Sequence, residues 1–558
     1  MRAFNFQKWN QIIGWSVFVV ALTTYWLTVE PTVSFWDAGE YITTASNLEV
    51  GHPPGAPLYQ IIGAFFSIFA FDVENVALTI NLMSVFASAF TILFLFWSLS
   101  LLLRQFHNDQ QDLEASIGWK ILGSSAVGAL AFTFTDSFWF SAVEAEVYAA
   151  AACIMSILFY CGLRWQADMY TPRGNRWLIL IAFVVGLSFG IHFMGLLTIP
   201  AIGFLYFFRT TPKVTPKNFI TANIVVVAVL LFIFKLLLPW TLKFFSAMEL
   251  FFVNNLRLPF NSGTAFAALL FIGLFYWGLK TTRAKGQVWG NTLILCVLFI
   301  FIGFSSWLML PIRANAGTVI NENNPNNARE LLAYYNREQY PETHLFYGPQ
   351  FTEIYAGLDP DKPYKDDKPK YEKDAASGKY IVVNEWENAA QNTDDAHKAL
   401  LPRMWSSEHA ANYMQYTGGL EFGIKRAYRS EQRLVQEVDK FKEAHQQGLV
   451  TTQEYHEFLN RFSPFLDIEK PSFFDNIKFM FVHQFGYMYW RYFMWNFVGR
   501  QNDIQGQGDS LHGNWLSGIN PIDEMRLGNQ DALPSDLKNN KARNTYYFLP
   551  LLLGALGL

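Results

Sequence analysis

The chain has 558 residues, of which 51% are hydrophobic and 17% aromatic but only 16% charged, where an ordinary soluble domain carries about 25%. A net charge of −4 without a basic block excludes an electrostatic nucleic-acid binder, and three cysteines exclude a disulfide framework. A mean hydropathy of only +0.14 excludes a chain built wholly of membrane segments. What remains is an α-helical polytopic membrane protein with a large polar part.

A membrane helix needs roughly 20 mostly apolar residues, and about nine runs approach that. In chain order they are Ile12–Leu27, Val76–Leu103, Ile121–Thr135, Phe138–Gly162, Trp177–Gly190, Phe193–Phe208, Phe219–Trp240, Ala265–Leu279 and Val288–Leu310. The first lacks a small-residue cleavage site and reads as a retained anchor. Trp177–Phe208 reads as a hairpin turning at Gly186–His192. Tyr546–Leu558 opens a further span that meets the chain end with no stop signal, so a longer protein is expected. Cys153, Cys161 and Cys296 sit inside apolar runs, as small buried hydrophobes do.

Lysines and arginines set the orientation. Arg2 and Lys8, then Arg104 with Lys120, Arg164 with Arg173 and Arg176, Arg209 with Lys213 and Lys217, and Lys280 with Arg283 and Lys285 all fall on one side if the helices alternate. That side is expected to be cytoplasmic, provided the apolar run Ala56–Phe71 does not cross. The other side then collects Glu30–Asp72, the Thr135–Phe138 turn, the His192 corner, Lys243–Gly263 and the polar stretch Pro311–Arg543. The expected organisation is a transmembrane module over 1–310 with its first external loop at 30–72, an extracytoplasmic and mainly helical region over 311–543, and the start of a helix at 545–558. Helical patterns stand at Glu421–Gln447 and Thr452–Phe462. The aromatic segment Phe473–Arg500 is expected to lie along the outer leaflet, where Trp and Tyr concentrate.

Several groups in this external set can carry chemistry. Trp36-Asp37-Ala38-Gly39-Glu40 is followed by Gly51-His52-Pro53-Pro54-Gly55. Carboxylates three apart share a helix face, and aromatic neighbours that restrict solvent suit general-base work. A solvated loop with Asp37 as a plain helix cap fits the same residues. Asp136, Glu144, Glu146 and Tyr148 form a second cluster, read as lying at the tip and first turns of the span Phe138–Gly162. Ionisable groups at membrane depth are functional candidates by default. His192 stands alone at its corner, a ligand or a packed helix-end residue, and has no metal-ligand partner spacing. Arg313 and Arg337 are shaped to hold a phosphate, and snorkelling explains Arg313 equally.

These residues, together with Glu146-Val147-Tyr148, Gly190–His192, Asn323-Asn324-Pro325, Arg337-Glu338-Gln339-Tyr340, Trp495–Arg500 and Gly513-Asn514-Trp515, make a sequence that resembles the GT-C superfamily of polytopic glycosyltransferases. More narrowly, it is similar to a bacterial family of formerly unknown function related to an animal transmembrane protein O-mannosyltransferase. The resemblance implies a GT-C-like bundle and a sugar or oligosaccharide moved from a polyprenyl-phosphate-type lipid to Ser or Thr hydroxyls of exported proteins. It also implies an inner-membrane enzyme whose site faces the periplasm. Carried onto this chain, Asp37 is the general base with Glu40 as the other candidate. His52, Glu146, Tyr148, His192 and Arg313 line the donor, Arg313 at its phosphate. Arg337, Trp495, Asn496, Arg500, Asn514 and Trp515 touch acceptor or lipid. No resident cofactor is implied, and without a clear ligand set a divalent cation stays open. Transfer to a lipid or polysaccharide, a lipid-linked sugar flippase and a non-catalytic scaffold remain as alternatives.

Overall fold

The computed structural model describes residues 4–107, 113–341 and 344–557, so that Arg2 and Leu558 lie outside the described residues. The chain forms two compact units, Met1–Tyr340 with Ser377–Lys379, and Pro341–Ala376 with Tyr380–Leu558.

The first unit is helical. Its elements are α1 Phe6–Leu27, α2 Ala38–Asn47, α3 Pro57–Ser67, α4 Val76–Gln105, α5 Ala115–Thr133, α6 Asp136–Ala142, α7 Val147–Asp168, α8 Gly174–Ser188, α9 Thr198–Thr210, α10 Pro216–Leu231, α11 Leu238–Leu250, α12 Ser262–Ala284, α13 Val288–Phe304, α14 Met309–Ala314 and α15 Ala328–Asn336. Among the described residues, 7 helical runs are long and apolar enough to cross a membrane. The helices α1, whose first turns carry Gln7, Lys8, Asn10 and Gln11, and α8, which is short, are not among them. The helix α3 covers 11 residues, about half of what a crossing needs.

Two departures from the sequence reading have identifiable causes. Phe138–Gly162 is not one helix: α6 stops at Ala142, and α7 starts only after Glu146, which takes an extended backbone as its N-cap. Glu144 and Glu146 therefore lie in the break before the span rather than inside it, where their carboxylates escape the cost of membrane depth. Conversely, Lys243–Asn255 is not loop but the end of a helical run, Pro216–Asn255. Pro239 lacks an N–H for the preceding turn, and the run absorbs this as a π-helical stretch at Phe232–Leu237.

Close packing in this unit relies on small residues. A Cβ on Gly186 would run into the backbone of α13 at Ile300, and one on Gly303 into the backbone of α8 at Phe183, so the two helices touch backbone to backbone. Tyr25 of α1 donates its buried hydroxyl to Thr133 O of α5 at 2.9 Å. Asn81 of α4 donates to Glu30 O at 2.6 Å and Thr32 O at 2.9 Å, pinning the connection from α1 to α2. The boundary falls at Tyr340 rather than Leu310 because Leu310, Ala314, Leu331, Tyr334 and Tyr335 share one buried cluster with Val147, Phe189 and Trp307.

The second unit combines α16 Ala410–Thr417, α17 Gln432–Gln446, α18 Thr452–Phe462, α19 Phe473–Phe479, α20 Arg491–Phe497, α21 Asn520–Leu527, α22 Ser535–Lys538 and α23 Leu549–Gly557 with short antiparallel ribbons. One ribbon pairs Phe422 with Ile468 and Ile424 with Leu466. Phe351, Met404, Met414, Leu459 and Leu466 form its core. Buried Asn476 donates to Gln350 Oε1 at 2.7 Å while Gln350 donates to Pro471 O at 2.9 Å, so the core's polar groups satisfy one another. The aromatic segment is helical from Phe473 to Phe497, with a π-helical centre at Met480–Trp490.

Gly303→Leu is expected to lower the thermal unfolding midpoint of the detergent-solubilised protein, because overpacking a backbone contact costs about 1–3 kcal/mol or more. An unchanged midpoint would show that α8 and α13 can separate freely.

Candidate active site

Trp36 turns the chain into α2 with φ 63°, a conformation uncommon for residues other than glycine, and its side chain is 78% exposed. Asp37 follows at the N-cap of α2, but its carboxylate makes no capping hydrogen bond. It is 60% exposed and so is available to a ligand, unlike an ordinary cap.

Glu40, in the first turn of α2, is fully committed. Its Oε1 accepts from the His52 backbone N–H at 2.6 Å, and its Oε2 lies 3.0 Å from His52 Nδ1. The other ring nitrogen, Nε2, lies 3.8 Å from Asp37 Oδ2. The hydrogen bond from Glu40 raises the His52 pKa above its ordinary value against the opposing effect of burial, and Asp37 adds to the rise. The same contacts outweigh burial at Glu40 and lower its carboxyl. Below the raised pKa of His52, an imidazolium thus stands between two carboxylates.

The loop carrying His52 is held from behind. A Cβ on Gly51 would stand 2.6 Å from Glu40 Oε1, so only glycine lets the carboxylate approach. Tyr334 of α15 donates to Gly51 O at 2.5 Å, and Val50 exchanges backbone hydrogen bonds with Ile320 and Glu322 at 3.1 and 3.0 Å. Arg313 donates from Nε to Leu48 O at 2.5 Å and from Nη2 to Asn47 O at 3.2 Å. Those carbonyls end α2, whose C-cap Leu48 is left-handed, so Arg313 satisfies a helix C-terminus. Holding a donor phosphate there would require Arg313 to release α2.

Glu146 comes to the same place from the break before α7. It is 5% exposed, and burial, then the charges of Asp37 and Glu144, push its carboxyl up to about 7 against hydrogen bonds from the backbone N–H groups of Asp37 and Val147. In the first turn of α7, the Tyr148 ring lies 5.5 Å from that of His192. His192 Nδ1 accepts from Met194 N–H at 3.1 Å, which leaves the ring proton on Nε2, free to donate. Burial and the nearby Arg337 lower its pKa, so His192 is a neutral donor at pH 7. Arg337 itself, in a left-handed C-cap of α15, lies over the Tyr340 ring at 4.4 Å.

Asp37, Glu40, His52, Glu146, Tyr148, His192 and Arg337 therefore meet on one unit. The sequence reading gave no role to Tyr41, whose ring packs 5.6 Å from His52 and 5.3 Å from Tyr59, nor to the supports Gly51 and Tyr334. The spacing Tyr334-Tyr335…Arg337 on a short amphipathic helix was the available signal. Among the described residues no group of three or more metal-ligating side chains assembles.

The remaining candidates gather on the second unit, where they bind neighbouring residues of that unit. Trp495 Nε1 donates to Gly513 O at 3.2 Å, as does Arg491 Nη1 at 3.0 Å. Arg500 donates to Ala542 O at 3.2 Å and stacks 5.4 Å from Trp495. Asn514 donates to Gln501 Oε1 at 3.0 Å and Asp509 O at 2.9 Å. Trp515 lies under Arg526, and Asn496 donates to Tyr492 O at 2.9 Å. Their motifs knit the Arg491–Trp515 segment together.

Fold and cluster together define a multi-pass helical membrane protein with a carboxylate–histidine site outside its spans. Residues 37–215, which begin at the candidate base, match the model of the protein O-mannosyl-transferase TMEM260 N-terminal domain, and residues 341–481 match a family of unknown function. Among similar curated proteins, the protein O-mannosyl-transferase tmem260 of Dictyostelium discoideum is 25% identical over 203 residues, covering 34% of this chain and 23% of that protein. The Mus musculus protein O-mannosyl-transferase TMEM260 is 27% identical over 176 residues, covering 31% of this chain and 22% of its own. Each match thus spans less than a quarter of the relative's length. No solved structure matches. The chain is related to the animal protein O-mannosyl-transferase through this N-terminal region.

The raised Glu146 carboxyl has a pH signature. Between the ordinary glutamate range and about 7, folded Glu146 holds a proton that the unfolded chain has lost, so stability falls as pH rises through this window. Glu146→Gln is expected to match the wild-type thermal midpoint near pH 4.5, exceed it increasingly toward pH 7, and keep a constant lead above. A lead independent of pH would show that Glu146 titrates normally.

Proposed function

We propose that this chain is a GT-C-type membrane glycosyltransferase that moves a sugar from a polyprenyl-phosphate-type lipid to Ser or Thr hydroxyls of exported proteins, at a site facing the periplasm of an inner membrane. The observation that carries the reading is the uncapped, exposed carboxylate of Asp37 beside His52 and Glu146, within the region similar to the TMEM260 N-terminal domain.

In the proposed step the acceptor oxygen attacks the anomeric carbon from the face opposite the lipid phosphate. The new glycosidic bond forms as the bond from C1 to the phosphate oxygen breaks, with inversion. Asp37 takes the hydroxyl proton, and the phosphate leaves with the bonding pair. A serine hydroxyl is a weak nucleophile, so a positioned base contributes about 10²–10⁴-fold. The imidazolium of His52, clasped by Glu40, fixes the geometry beside Asp37. The Nε2–H of His192 is a neutral donor for a sugar hydroxyl or phosphate oxygen. Arg337, next to His192 and without the backbone bonds that occupy Arg313, is the better cation for the developing phosphate charge. Arg313 acts on α2, behind the base.

The test compares intact masses of exported proteins from cells with the gene intact, deleted, or carrying Asp37→Asn. Hexose-sized increments are expected to vanish in both altered strains. Loss only on deletion would move the base away from Asp37. No change on deletion would exclude protein acceptors and turn the reading to lipid or polysaccharide transfer, then to transport.

The two arginines separate in the same assay. Arg337→Gln is expected to cut modification at least about tenfold while leaving thermal stability near wild type, since an exposed cation contributes little to folding. Arg313→Gln is expected to lower the thermal midpoint as well. Equal stability loss in both would return the phosphate role to Arg313.

A further inference from the structure

The first unit also holds an apolar cavity outside the carboxylate–histidine cluster. It has a volume of about 520 Å³ and lies between α8, α9, α10 and α13, reaching Trp165 near the end of α7. At 1.5 Å per residue, Trp165 stands about 28 Å along α7 from Glu146, so this end of the cavity is remote from the carboxylates, while Ile199 and Ile233 line its other end. Its walls are Ile181, Val185, Ile202, Val229 and Ile300.

The helix α10 packs chiefly on α9, where Phe219 stacks 5.6 Å from Phe204. Gly203 of α9 lets Val226 approach so closely that a Cβ there would stand 2.5 Å from the valine Cγ2. Beyond that contact α10 is largely bare, with Ile224 64% and Val225 55% exposed. A groove of this volume is in the range of ligand sites and lies on helices apolar enough to cross a membrane.

One end of the groove is polar and is bordered by a basic connection. Thr210, Thr211, Asn218 and Thr221 line it where α9 ends and α10 begins, and Asn218 donates to Lys213 O at 2.8 Å, folding that connection over the rim. The connection carries Arg209, Lys213 and Lys217, and the sequence from Leu205 to Thr221 contains no acidic residue. Trp165 and Tyr206 stack at 5.5 Å beside it, aromatics of the type that sit at headgroup level. None of the three cations lines the groove itself, and Arg209 lies over the Tyr170 ring at 5.8 Å, but an apolar slot whose rim carries three cations on its connecting loop is complementary to an acyl chain ending in a phosphate.

We propose that this groove holds one acyl chain of an anionic membrane phospholipid, with its phosphate held by Arg209, Lys213 and Lys217. The lipid fills the space beside α10 that no helix of the first unit occupies and fastens α10 to α8 and α13. The proposal is independent of the sugar-transfer reading.

Native mass spectrometry of the full chain, delipidated in detergent and titrated with phosphatidylglycerol, phosphatidylcholine or undecaprenyl phosphate, tests it. Phosphatidylglycerol is expected to bind about tenfold or more tightly than phosphatidylcholine, as three interfacial cations allow, and to raise the melting temperature. The variant R209Q/K213Q/K217Q is expected to lose that preference. Val225→Trp, at a position already exposed, is expected to fill the groove and lower retention while leaving the lipid-free melting temperature unchanged. Equal binding of the two phospholipids, undiminished retention in Val225→Trp, or tighter binding of undecaprenyl phosphate than of phosphatidylglycerol would overturn the assignment.

Discussion

Both oxygens of Glu40 are committed to His52, one to its backbone N–H and one to its ring. This clasp joins the first turn of α2 to a loop that ends in two prolines, and the rest of the site is arranged around it. It works only because residue 51 is glycine, because Tyr334 holds Gly51 O from the far side, and because Arg313 fixes the other end of α2. Supports that far apart in sequence explain why the first unit continues through α15. A cut at Leu310 would remove the residues that hold the loop in place.

The clasp also divides the work between two neighbouring carboxylates. Glu40, paired with a histidine, has its geometry fixed, while Asp37 keeps an exposed carboxylate beside the same ring. Glu146, buried and facing Asp37, titrates near neutrality. Environments that push carboxyl groups apart are how one site keeps an acid and a base together. The arrangement depends on the break between α6 and α7, because a continuous helix there would turn Glu144 and Glu146 to different faces and carry them into the span.

What the sequence made legible follows from what it can encode locally. Apolar runs identify most of the bundle, and the Trp36–Glu40 and Gly51–Gly55 motifs stand out because tight loops and acids beside aromatic residues leave compositional traces. The break at Val143–Glu146 was hidden inside an apolar run whose two acids read as helix positions. The helical continuation to Asn255 was hidden because Lys243 and the nearby Glu249 look like loop residues, yet Glu249 is buried and accepts from Asn261 and Thr264 at the start of α12. The different surroundings of Arg313 and Arg337 were unreadable for a different reason. Both follow spans or short helices, and only the tertiary contact with Leu48 or His192 separates a helix anchor from a cation at the site.

The bundle thus treats its two ends differently. Around Asp37 the chain uses long-range hydrogen bonds from α14, α15 and the Ile320–Glu322 segment to hold charged groups at fixed positions, as preorganised electrostatics requires. At the opposite end of α7, α10 packs on α9 through Val226 and Phe219 and leaves an open apolar side. A helix in that position draws its packing from whatever fills the groove, because apolar surface facing lipid gains nothing from burial against another apolar helix. Rigidity is concentrated where charges must be held, and the loosely packed end is left to the bilayer.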